Sequence, residues 1–180
     1  MTQTATLTDV WVKNLKNGDE VAAMNIYNMY SKAMYNTLVR ITGNSVEAQD
    51  LLQEAFVKAF KKIDTFREEA TFGAWLKRIV VNTGLEFLRK KKVNFDALED
   101  HSLEDMEEEA AEEPMVDPEL IHECIKQLPS GSRTVLTLYL LEDYSHKEIA
   151  EKLDITVSTS KTQYMRGKKL LKELIKNKIS

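Results

Sequence analysis

The chain has 180 residues, 43% of them hydrophobic, which is enough for one ordinary domain or two small ones, and only six glycines and three prolines disfavour a turn-rich all-β fold. Its formal charge of −4 argues, at face value, against a nucleic-acid partner, because binding phosphates requires cations that displace counterions. No basic segment leads into an apolar run at the amino terminus and no stretch approaches the roughly 18 apolar residues of a membrane span, while the single cysteine, Cys124, has no internal disulfide partner, so the expectation is a cytoplasmic protein without membrane insertion.

The mean charge conceals its distribution. From Asn94 to Leu120 there are 12 Asp or Glu and no Lys or Arg; the rest carries 25 basic against 17 acidic residues, a balance of +8. Basic folded parts joined by one acidic connector remain compatible with DNA.

Four helices are expected before that connector. A short one over Asp9 to Lys16 ends at Asn17-Gly18. Asp19 caps the next, in which Val21, Met24, Tyr27, Tyr30, Met34, Leu38 and Ile41 recur at steps of three or four. Gly43-Asn44 breaks that pattern, and Asn44 with Glu47 resembles a reciprocal cap for a helix through Lys62 whose inward stripe is Ala48, Leu52, Ala55, Phe56, Ala59 and Ile63. After the polar segment Asp64 to Ala70, Thr71 caps a helix that turns Phe72, Leu76, Ile79, Thr83 and Phe87 inward and ends in Arg89-Lys90-Lys91-Lys92.

From about Val93 to Val116 the chain is acidic and poor in large apolar residues, so it buries too little to offset its ordering entropy and is expected to be a flexible linker. Asp117-Pro118 opens a second domain, with the aspartate as cap and the proline in the first turn. Short helices are expected over Pro118 to Gln127, Gly131 to Leu141, His146 to Leu153 and Ser158 to Lys176. The fold class is therefore all-α: two small helical domains joined by an acidic flexible linker.

Ser145-His146-Lys147-Glu148 is a capping box, and Asp154-Ile155-Thr156 makes a tight turn into a longer helix. Its inward positions are expected to be Ser160, Tyr164, Gly167, Leu171 and Leu174, which leaves Thr159, Lys161, Thr162, Met165, Arg166 and Lys169 outward. This is a helix-turn-helix pattern, whose second helix enters the major groove. Lys161 and Arg166 suit guanine edges or phosphates; Thr162 and Met165 suit thymine methyls. A merely solvated basic face is the alternative.

The stretches Ala48 to Phe60, Asp64-Thr65-Phe66-Arg67, and Phe72 to Ile79 with Asn82 resemble region 2 of the extracytoplasmic-function (ECF) sigma factors. Leu128-Pro129, Arg133 and Tyr144 to Ala150 resemble their region 4. The resemblance implies region 2 over 1–93, an acidic linker over 94–116 and region 4 over 117–180. It further implies a sigma factor that binds core RNA polymerase, through the β′ clamp helices and β flap, and directs initiation at promoter DNA, with an anti-sigma factor as a further partner.

On this resemblance Gln49, Asp50, Gln53 and Glu54 meet core polymerase. Thr65, Phe66, Arg67, Trp75, Lys77, Arg78 and Asn82 serve the minus-ten element, where a flipped base is captured; Trp75 remains open between core and stacking platform, and Asn82 between DNA and a neighbouring backbone group. Arg133, Ser158, Thr159, Lys161, Thr162, Gln163, Met165 and Arg166 serve the minus-thirty-five element. The linker carboxylates, Glu104 to Glu113, either imitate nucleic-acid charge in a polymerase channel or form a soluble spacer.

Two other functions compete. His122 with Cys124, and His146 with Glu148, superficially suggest an enzyme, but residues two apart on a helix do not share a face; no catalytic residue, metal or cofactor is expected. A repressor that never joins polymerase would explain the second domain and leave the first unexplained.

Overall fold

The computed structural model describes residues 6–93, 95 and 115–180. These form α1 (Leu7–Lys16), α2 (Glu20–Thr42), α3 (Ser45–Lys61), α4 (Phe72–Lys90), α5 (Pro118–Lys126), α6 (Ser130–Leu140), α7 (His146–Leu153) and α8 (Val157–Ile179), with a 3-10 turn at Ile63–Thr65 and no strand among the described residues. The chain divides into two compact units between Lys90 and Lys91. The expected linker lies outside the described residues except for Phe95, Met115 and Val116.

In the first unit each helix start has a side-chain acceptor. Helix α1 begins earlier than expected because Thr6 accepts the Asp9 N–H while the Asp9 carboxylate takes the Thr6 N–H at 2.7 Å, so Asp9 is the third helical residue rather than the first. These bonds hold the Asp9 carboxyl below the usual aspartate value. Asp19 accepts from Val21 and Ala22, and α2 ends at Gly43 in the left-handed region with φ 70°. Asn44 Oδ1 accepts from Val46 and Glu47, and Thr71 Oγ1 accepts from Ala74.

The inward stripe of α2 departs from expectation over its first two turns. Ala22 and Ile26 are buried, whereas Val21 and Met24 are 68% and 60% exposed. Counting back in steps of four from Leu38 and Met34 reaches Ile26 and Ala22, and the larger side chains beside them lie off that line. The core of this unit gathers Ile26, Leu38, Leu52, Phe56, Leu76 and Val80, with Tyr27 set edge-on to Phe56 at 4.8 Å.

The second unit is built around α6, in which every residue from Gly131 to Leu138 is buried. Asp117 caps α5 by accepting from Glu119, with Pro118 in the first turn as expected. Cys124 is buried beside Ile125 and Leu128, so it occupies the core. Helix α8 approaches α6 closely: a Cβ added at Gly167 would lie 3.1 Å from the Ser132 carbonyl oxygen and 3.2 Å from Leu136 Cδ1.

Gly84 in the first unit is a useful contrast, since a Cβ there would meet only the side-chain carbons Leu38 Cδ2 at 3.1 Å and Ile41 Cγ2 at 3.3 Å. Side chains can shift where a carbonyl cannot. Gly167→Ala should therefore destabilise the second unit by about 1–2 kcal/mol, an overpacking cost only partly offset by improved helix propensity. Gly84→Ala should be nearly neutral in the same thermal unfolding assay; equal losses would mean the α6–α8 approach is not the tighter one.

Candidate nucleic-acid interface

The helix-turn-helix is made of α7 and α8. Ser145 and Glu148 form the expected capping box, with the Ser145 N–H donating to Glu148 Oε2 at 2.8 Å. Asp154 ends α7 in the left-handed region at φ 56°, and the Ile155 N–H returns to the Ala150 carbonyl at 3.0 Å. Two residues later Thr156 caps α8 by accepting from the Thr159 N–H at 3.0 Å. The turn is therefore closed at both ends by hydrogen bonds.

What orients α8 is a polar seam. Ser160, Gln163 and Gly167 are its buried residues, spaced three and four apart on one face. Ser132 Oγ donates to Gln163 Oε1 at 2.8 Å, Gln163 Nε2 donates to the Phe95 carbonyl at 3.2 Å, and Ser160 Oγ shares a 2.9 Å hydrogen bond with His146 Nδ1. The His146 ring is stacked on Tyr139 at 4.4 Å and lies edge-on to Tyr164 at 5.6 Å. With one face so fixed, the other presents Ser158, Lys161 and Met165 to solvent, and Thr159, Thr162 and Arg166 at half burial.

Two of the residues expected at the minus-thirty-five element are buried. Gln163 is 4% exposed and its amide is hydrogen-bonded at both ends, which fixes it against the rest of the unit. Arg133 is 7% exposed and its guanidinium donates to the Leu128 carbonyl at 3.0 Å, with burial pulling its pKa below the usual value. In this position it braces the α5–α6 corner.

In the first unit α3 exposes Gln49, Asp50, Gln53 and Glu54 together. Two apolar residues extend that surface and were not picked out from sequence: Val46 and Val57, 70% and 51% exposed. With Asp50 and Gln53 they form one i, i+4, i+7, i+11 stripe; the signal was the failure of two valines to fit the buried stripe. Lys58 bridges Glu54 at 2.7 Å and Glu86 of α4 at 3.1 Å, and the Glu54 bond above all raises its pKa.

Phe66, expected at the minus-ten element, is also buried. It is 7% exposed, packed against Phe72 at 5.5 Å and Trp75 at 5.4 Å, with Lys16 Nζ donating to its carbonyl at 3.2 Å. Its ring belongs to the core cluster of the first unit. Trp75 has one side in this cluster and is half buried. Thr65, Arg67 and Arg78 are exposed, and Lys77 and Asn82 half buried. Trp75, Arg78 and Asn82 share one line along α4.

His146 reports on the interface. Burial, and secondarily the charge of Lys161, lowers its pKa from the usual 6.5. A base whose folded pKa is depressed contributes stability that is complete above about 6.5 and is lost as pH falls through the folded value, because the unfolded chain then binds the proton better. The His146 ring should titrate below 6.5 by NMR, and Lys161→Gln should recover only a minor part of the shift; full recovery would make charge, not burial, the main cause.

Comparison with known proteins agrees with this layout. Residues 26–93 match the family model described as sigma-70 region 2, and residues 119–171 match that of sigma-70 region 4. The chain is 33% identical over 178 residues to the ECF RNA polymerase sigma factor SigW of Bacillus subtilis, covering 92% of this chain and 95% of that one. It is 31% identical over 186 residues to the ECF RNA polymerase sigma-E factor of Escherichia coli K12, covering 96% and 95%. The sigma factor RpoE of Bartonella quintana, solved with the anti-sigma factor NepR, shares the fold at a TM-score of 0.50 and 21% identity over 85% of this chain and 96% of that one. Two units in the order region 2 then region 4, with relatives matched along nearly their whole length, place this chain in the ECF branch of the sigma-70 family of RNA polymerase sigma factors.

Proposed function

We propose that the two units divide promoter recognition as non-enzymatic parts of one initiation factor acting in the cytoplasm. The first unit, with boundaries near 1–93, docks on the β′ clamp helices of core RNA polymerase through the α3 stripe of Gln49, Asp50, Gln53 and Glu54, widened by Val46 and Val57. Its α4 line of Trp75, Arg78 and Asn82, with Lys77 beside it and Thr65 and Arg67 on the preceding loop, holds the melted minus-ten strand. The second unit, near 117–180, rests on the β flap and places Ser158, Thr159, Lys161, Thr162, Met165 and Arg166 in the major groove of the minus-thirty-five element.

The observation that carries this reading is the asymmetry of α8. One face is immobilised by Ser160, Gln163 and Gly167 against the rest of its unit, and the opposite face at its amino-terminal half carries cations and small polar groups with no core to join. Rigid presentation is what base-edge readout requires. The Bartonella quintana sigma factor was solved with an anti-sigma factor, and we assign to this chain the same class of regulator, one that covers its polymerase- and DNA-facing surfaces.

The test is reconstitution. With core polymerase the chain should support run-off transcription from a promoter library, and Lys161→Ala should lower promoter use by about 5- to 100-fold, the equivalent of one groove contact, while core binding is unchanged. Asp50→Arg should do the reverse, weakening core binding about tenfold or more. Failure of the wild-type chain to bind core would sink the assignment; equal loss of both activities in Lys161→Ala would sink the role of α8.

A further inference from the structure

Helix α1 precedes the residues that match region 2 and takes no part in the division of labour between the two units. It is nevertheless firmly set. Thr6 and Asp9 close its start, Val12 is buried with Trp11 and Leu15 packed on the same core, and Thr8 Oγ1 lies 3.4 Å from the Tyr30 hydroxyl of α2. From its last turn Lys16 reaches a residue 50 positions further along the chain, in the loop that leads into α4. Its Nζ donates to the Phe66 carbonyl at 3.2 Å and stands 5.7 Å from the centroid of the Phe66 ring. One cation thus meets both the backbone and the side chain of a single residue.

We infer that Lys16 is a positioning residue for the minus-ten loop, and that α1 is the strut that carries it. The inference rests on the reading in which Thr65 and Arg67 serve the melted strand. The carbonyl of Phe66 and the N–H of Arg67 belong to one rigid peptide plane, so gripping the oxygen sets the direction in which the chain leaves Phe66. On the near side the chain is already fixed: the Phe66 N–H donates to the Ile63 carbonyl at 3.1 Å, and Thr65 Oγ1 donates to the Lys62 carbonyl at 2.7 Å. On the far side Thr71 caps α4. Between these holds Arg67, Glu68, Glu69 and Ala70 are exposed, and Glu68 has φ 60°, a left-handed conformation that a residue with a side chain keeps only where its surroundings enforce it. Lys16 supplies one of those constraints from outside the loop.

A pocket for an extruded base works best when it is formed before the base arrives, because a loop that orders itself on binding loses part of the binding energy to its own conformation. Lys16 therefore acts on discrimination among bases more than on attraction to DNA. A lysine that met only a phosphate would behave otherwise: its removal would weaken all sequences alike and lower the salt dependence by about one ion. Lys13, an exposed cation also in the last turn of α1, provides the control, since its removal takes an equal charge from the helix and leaves the Phe66 contact in place.

The test uses the full chain with core polymerase and a template library randomised through the minus-ten element. Lys16→Met, which keeps the apolar stem and removes the cation, should lower the ratio of best to worst base at the captured position by about fivefold, with core binding unchanged. Lys16→Arg, which still offers a donor and a cation, should keep most of that ratio, and Lys13→Met all of it. In the free chain, hydrogen exchange of the Phe66 amide should quicken about tenfold in Lys16→Met and not in Lys13→Met, while α3 and α4 stay protected. A uniform loss over the library with the base ratio intact makes Lys16 a phosphate contact and overturns the inference. So do equal losses in Lys16→Met and Lys13→Met, an unchanged Phe66 amide, or loss of protection throughout α3 and α4, which would make Lys16 an ordinary stability residue. If the wild-type chain does not transcribe, the promoter reading fails instead, and the Phe66 amide still decides whether Lys16 sets the loop.

Discussion

The close approach of α8 to α6 at Gly167 is the constraint on which the second unit depends. A glycine facing a carbonyl oxygen lets two helices pack with no side chain between them, and the space saved is filled by a polar seam rather than by hydrocarbon. Ser132 pairs with Gln163 and Ser160 with the half-buried His146, so the burial of Ser132, Ser160 and Gln163 costs little while fixing the rotation of α8 about its own axis. An all-apolar seam would bind α6 as strongly but tolerate several rotations. Rotation matters because a helix turned by one residue would offer the groove a different set of side chains.

The first unit solves a related problem with aromatic packing. Phe66, Phe72 and Trp75 sit within 5.4 to 5.5 Å of one another, and Tyr30 and Tyr27 continue the cluster towards α2 and α3. This anchors the loop between the 3-10 turn and α4 at its apolar residue, while Thr65 and Arg67 on either side remain exposed. The loop is thus held where it leaves the 3-10 turn, with a polar residue on either side of the anchor. The Lys58 bridge to Glu54 and Glu86 ties α3 to α4 at the surface, but as an exposed pair in water it contributes modestly.

Electrostatics separate the chain into parts with different tasks. Cations gather on the outward half of α8 and at the end of α4, whereas the acidic run from Asp96 to Glu119 makes the mean charge negative. A polyanion facing such a run meets repulsion from one segment and attraction from two others.

Sequence alone determined the helices, their caps and the helix-turn-helix, because capping boxes, left-handed stops and three-four apolar spacing act over a few residues and need no distant partner. Thr71, Asp117 and Ser145 accept from the backbone at helix starts read from the sequence, whereas Thr156 caps α8 at Val157, one residue before the expected start at Ser158. What only the tertiary structure decided is which residues on those helices are available. Gln163 and Arg133 are polar and Phe66 lies in a polar loop, so each looked like surface until Ser132, the Leu128 carbonyl and the Phe72–Trp75 pair claimed them; Val46 and Val57 fall outside the apolar stripe of α3, and the fold leaves both exposed. Phe95 belongs to the same class, since nothing within an acidic stretch announces a hydrogen bond to a helix 68 residues away. Local chemistry writes periodicity and termini into the chain, whereas burial is a property of the space between elements.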